Sequence, residues 1–94
     1  MNVREAVVIA KSWVKDILAD ENVSNIGLEE VNHDDDNGIW YITIGFSRPW
    51  NSQRTNALSA FIDESALKRA YRVIAVREPN GEVISMKRRE GEAA

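Results

Sequence analysis

The sequence predicts an α+β fold in which one N-terminal helix packs on an antiparallel sheet of about four strands, with a long loop between the second and third strands. Three observations carry this prediction. Residues 3 to 18 place Val3, Ala6, Val7, Ala10, Trp13, Val14, Ile17 and Leu18 at helical spacing. Residues 39 to 47 alternate, with Trp40, Ile42, Ile44 and Phe46 on one face and Tyr41, Thr43, Gly45 and Ser47 on the other. Residues 70 to 78 and 82 to 88 are two β-rich runs separated by Pro79-Asn80-Gly81, a combination that marks a chain reversal at residues 79 to 82.

Each element has a local cause. Asn2 followed by Glu5 has the capping-box spacing, so the two side chains can satisfy free N–H groups at the helix start. Asp20-Glu21-Asn22 and Ser24-Asn25 supply turn residues that stop the helix. Residues 26 to 31 read as a short strand, with Glu29-Glu30 breaking the alternation as a bulge or a solvated end would. The run His33-Asp34-Asp35-Asp36-Asn37-Gly38 is a turn into the central strand. There one face must be core, so Trp40 is expected to be buried with Trp13, and Trp40→Ala to cost about 3–5 kcal/mol. The opposite face is expected to meet solvent or a partner, and Gly45 to let something approach it closely. Residues 48 to 67 form the long connection, in which Leu58, Phe61 and Ile62 have the spacing of one or two helical turns.

The 94 residues suit one small domain spanning residues 1 to 94, able to bury somewhat over about 60% of its unfolded surface. At 44% hydrophobic and 29% charged the composition is that of an ordinary globular protein. No apolar run approaches the roughly 20 residues of a membrane span, and no secretory leader is recognisable, so a cytoplasmic location and no membrane partner are expected. Zero cysteines exclude disulfides and thiolate chemistry. Residues 1 to 50 hold four Lys/Arg against nine Asp/Glu, whereas residues 51 to 94 hold eight against six. That uneven but overall acidic balance excludes the basic footprint of a nucleic-acid binder, and the short Lys87-Arg88-Arg89 patch reads as solvated strand-end charge.

No constellation of residues carries catalysis. A single histidine and serines outside any nucleophile-elbow context leave no triad, and no phosphate-binding glycine motif is present. The acidic turn fails as a calcium loop. If Gly38 is the sixth position, His33 and Ile44 stand where the first and twelfth ligands belong. The expectation is a protein that is not an enzyme and needs neither metal nor cofactor.

Binding is better served. Arg48-Pro49-Trp50 opens the long connection, Arg54 follows, and arginine and tryptophan are enriched at binding hot spots. The competing reading folds Trp50 over the sheet edge as core. Tyr41, Tyr71 and Arg72 are expected to line an exposed sheet face suited to a protein partner, and a sheet edge offers a route to a homodimer.

The helix, the Gly38-Ile39-Trp40-Tyr41-Ile42-Thr43 strand, and Tyr71-x-Val73 leading through Asn80-Gly81-Glu82-Val83 into a final strand resemble the small PepSY-type domains of bacteria, which in turn resemble cystatin-like helix-on-sheet folds. The resemblance covers most of the chain outside residues 48 to 67. It implies a non-catalytic module, associated in that family with peptidase restraint or extracytoplasmic regulation. The chain departs from the pattern at Arg77-Glu78-Pro79 and in its long insertion. The functional expectation is an interaction domain using a sheet face and the 48 to 67 loop. The alternative is a module that senses a small molecule or peptide in a pocket between helix and sheet, and a filled core would favour the former.

Overall fold

A computed structural model describes residues 1–48 and 69–89. Helix α1 spans Val3–Ile17, a 3-10 turn follows at Ala19–Glu21, and the strands are β1 (Ser24–Asp34), β2 (Ile39–Ser47), β3 (Ala70–Arg77) and β4 (Glu82–Arg88). The four strands pair antiparallel in the order β1-β2-β3-β4, and α1 packs across the sheet, so the architecture is α+β as expected.

Local chemistry sets the helix ends. The Asn2 side chain accepts from the Glu5 N–H at 2.8 Å while Glu5 Oε1 accepts from the Asn2 N–H at 2.8 Å, which closes the capping box. Beyond Leu18 the chain tightens into the 3-10 turn and reverses at Asn22, whose left-handed backbone suits asparagine. The face that meets the sheet is the row Ala6, Ala10, Val14 and Leu18, spaced by four residues. Its two alanines let the helix approach closely, and against it lie Ile42, Ile44 and Phe46 of β2 with Ala70, Ile74 and Val76 of β3. Val3 and Ile17, at the two ends of the predicted stripe, are exposed instead.

The tryptophans are not where the pattern placed them. Trp13 sits on the flank of α1 and Trp40 near the start of β2, and both pack only partly against the core rather than inside it. A repeating pattern identifies a side chain's face but not its distance from the rim. The central residue is Phe46, fully buried, with the guanidinium carbons of Arg48 and Arg72 at 5.6 and 5.9 Å from its ring centre.

Strand β1 is longer than expected. It begins at Ser24 and continues through His33 to Asp34, because the regular β2 ladder extends residues whose own strand preference is weak. The pairing slips between Leu28 and Glu30, so Glu29 is the extra residue of a bulge, as the broken alternation suggested. The turn into β2 is built on Asp34. Its carboxylate accepts from the N–H groups of Asp36 and Asn37 and, at 2.8 Å, from the Asn37 side-chain amide. The β3–β4 turn occupies residues 78 to 81 and ends on Gly81, one residue earlier than the expected 79 to 82, because Glu82 already pairs with Arg77.

A candidate interaction surface

Direct pairing fixes which residues share the sheet's second face. Tyr41 stands opposite Ala75, Thr43 opposite Val73 and Gly45 opposite Tyr71, while β1 and β4 add Asn32, Glu30, Ser85 and Lys87 at the margins. No described element lies over this face. Its middle is nevertheless closed by the chain itself: Thr43 and Ala75 are 4% and 2% exposed. A Cβ added at Gly45 would lie 2.9 Å from Arg69 Nη2, 3.0 Å from Glu29 Oε2 and 3.0 Å from a Tyr71 ring carbon. The close approach that Gly45 permits is therefore made by the protein's own side chains.

Those side chains form a connected group. Arg69 Nη2 donates to the Asn25 carbonyl at 2.8 Å and lies 3.7 Å from Glu29 Oε2, and the Arg89 guanidinium stacks 3.9 Å from the Tyr71 ring centre. The bulge at Glu29 brings this carboxylate over Gly45. The result is a surface with Tyr41, Tyr71 and Val73 accessible in part, where Glu29 on the β1 side meets Arg69, with Glu30 on that same side and Lys87 on the β4 side.

No protein-family model matches the chain, nor does any curated protein or solved structure.

The residues singled out for binding divide between two faces. Tyr41 lies on the second face, 36% exposed, with Tyr71. Arg72 does not join them: it pairs opposite Ile44 and points to the helix side, because adjacent strand residues face opposite ways. Arg48 is also on the helix side, where its Nη1 donates to Glu21 Oε1 at 3.5 Å. Trp50, Arg54 and the rest of the 49–68 connection lie outside the described residues. Arg69 carries no sequence signal of its own, the broken alternation at Glu29 and the basic run ending at Arg89 mark those residues without a site role, and Gly45 is the sign of the close approach over it.

A second polar group sits at the other end of the sheet. The Trp40 indole N–H donates to Glu78 Oε2 at 2.9 Å, and its ring stacks on His33 at 4.0 Å. His33 Nδ1 lies 2.7 Å from Asp35 Oδ1 and Nε2 3.5 Å from Glu78 Oε1, while the Met1 amino group is 3.8 Å from Glu78 Oε2. These contacts tie the first strand turn to the second. Among the described residues no set of three His, Cys, Asp or Glu side chains has the arrangement to hold a metal ion.

Both turns at this end respond to acid. The Trp40 indole donor, followed by the positive charges at the Met1 amine and His33, holds the Glu78 carboxyl below the usual carboxylate range. The Asn37 side-chain amide and the turn N–H groups do the same for Asp34. A carboxyl with a lowered folded-state pKa contributes stability above its unfolded pKa and loses it as pH falls through the folded value. Stability should therefore be level near neutrality and decline on acidification below about pH 4.5. Glu78→Gln and Asp34→Asn should each flatten that acid limb in melts followed by circular dichroism. Unchanged acid limbs in both variants would show that these carboxylates do not set it.

Proposed function

We propose that this chain is a non-catalytic protein-interaction domain that meets its partner through the second sheet face. The observation that carries the reading is the division of labour across β2. Ile42, Ile44 and Phe46 are fully buried against Ala6, Ala10 and Val14, whereas the other face presents Tyr41, Tyr71 and Val73 beside the Arg69 and Arg89 guanidiniums. Tyrosine and arginine are among the side chains that most often anchor protein interfaces, and both of these arginines are already held in place by Asn25, Glu29 and Tyr71. Ordering them beforehand lowers the entropy lost on association.

The sensing-module alternative needs room between helix and sheet. At the centre of that interface Ala6, Ala10, Val14, Ile42, Ile44, Phe46, Ile74 and Val76 are fully buried, and an open groove among the described residues lies at the margin, between the flank of α1 and the β4 edge. Kinship with PepSY-type domains would carry the same non-catalytic sense; it rests on the helix, the Gly38 to Thr43 run, and Tyr71-x-Val73 leading through Asn80-Gly81-Glu82-Val83. Partner capture from the source cell tests the proposal. The Tyr41→Ala/Tyr71→Ala variant should retain a cooperative melt and lose a protein that the unchanged chain captures specifically. Equal capture by a folded double variant would contradict the reading.

A further inference from the structure

Strand β4 is an outer edge of the sheet: β3 pairs with one side of it, and no described strand pairs with the other. Such an edge presents a row of backbone donors and acceptors and is a template for another strand. Its residues, Glu82 to Arg88, include neither proline nor glycine.

The pairing of β4 with β3 fixes its faces. Glu82, Ser85 and Lys87 pair with Arg77, Ala75 and Val73 on the second face, while Val83 and Met86 pair with Val76 and Ile74 on the helix side, and Ile84 is the extra residue of a bulge. Counted in these paired positions, β4 is self-complementary. About a two-fold axis through Ser85, Glu82 falls opposite the second copy's Lys87 on the second face, and Val83 falls opposite the second copy's Met86 on the helix side. Two such ion pairs and two such apolar pairs arise from one register, with Ser85 against its own equivalent.

Beside this edge, on the helix side, is an open groove of about 410 Å³ lined by Val8, Ile9, Ser12, Trp13, Asp16 and Val83 among others. Val8 at its rim is 58% exposed and the bulged Ile84 is 37% exposed. A strand added at β4 lays its helix-side residues against that groove. The opposite edge is unsuited to the same pairing. Strand β1 has two register irregularities and carries Glu29, Glu30 and Asp34 with no lysine or arginine, so self-pairing would bring like charges together.

We propose that two copies of this chain associate through β4, antiparallel about a two-fold axis at Ser85, to form a continuous eight-stranded sheet with the two α1 helices on the same side. The occupant of the edge is a second copy because the charge pattern complements itself, and closed two-fold pairing is the commonest way in which identical chains associate. The proposal does not rest on the partner surface above, whose centre is Tyr41 of β2 and Tyr71 of β3 rather than the β4 edge.

Sedimentation equilibrium of the intact chain over the micromolar range tests it, with Glu82→Lys, Lys87→Glu and the double exchange. The unchanged chain should sediment as a dimer. Either single exchange sets two like-charge pairs across the axis and should weaken the dimer by about tenfold or more. The double exchange should restore it, although the lysine introduced at position 82 would then face Arg77, the residue to which Glu82 is paired at 3.3 Å within one chain. That restoration separates pairing between copies from damage within one. A monomeric unchanged chain, a dimer indifferent to both single exchanges, or a folded double variant that stays monomeric would each overturn the proposal.

Discussion

Phe46→Ala should destabilise the protein by about 3–5 kcal/mol, the largest loss expected from any single truncation among the described residues. Phe46 is fully buried in the core cluster shared with the helix row and pairs opposite Ala70 of β3, so its removal leaves a cavity that the neighbouring layers cannot close. It also removes the aromatic ring over which the Arg48 and Arg72 guanidiniums rest. Against a total stability of about 5–15 kcal/mol for a typical domain, that change is severe. Trp40→Ala, although it deletes a larger side chain, should cost less. Trp40 is partly exposed, and what it loses is its hydrogen bond to Glu78 and its stacking on His33. Urea denaturation of the two variants decides the order, and a larger loss for Trp40→Ala would place the centre of the core at the other end of β2.

Gly81→Ala should cost about 1–2 kcal/mol although it adds only one methyl group. Gly81 ends the β3–β4 turn at φ +73°, a conformation that side chains with a Cβ adopt at a cost. The new Cβ would also lie 2.7 Å from Ile9 Cδ1 and 3.1 Å from Met1 Cε. Gly81→Asn separates the two causes, because asparagine tolerates the left-handed region but carries the same Cβ. If backbone conformation dominates, Gly81→Asn is the milder change. Equal losses in the two variants would assign the effect to the contact with α1, and no loss in either would contradict the turn geometry.

The parts of the fold that can be read from the sequence are those with local causes. The capping box needs only Asn2 and Glu5, and the alternation from Trp40 to Phe46 identifies two faces without reference to the rest of the chain. Strand β1 outruns its sequence signal because Asn32, His33 and Asp34 have little intrinsic strand preference, and its extension comes from pairing with Tyr41, Trp40 and Ile39. Residue type groups Arg72 with Tyr41 and Tyr71, although strand parity alone places it on the opposite face from its neighbour Tyr71. The group over Gly45 is harder to see. Arg69 precedes β3 and reaches Asn25, 44 residues away in sequence, and Glu29 arrives only through a bulge. Periodicity says nothing of such non-local contacts. Gly45 does signal a close approach, but the residue type of a glycine does not say whether the approaching group belongs to the same chain.

The face proposed to meet a protein partner is the one bearing Tyr41 and Tyr71, rather than the helix side. Site-specific photocrosslinking in the source cell addresses it most directly, with a benzophenone amino acid placed at Tyr41 on the second face or at the exposed Val3 on the helix. A discrete crosslinked partner, heavier than a second copy of this chain, is expected from position 41 and none from position 3. The same partner crosslinked from position 3 and not from position 41 would contradict it.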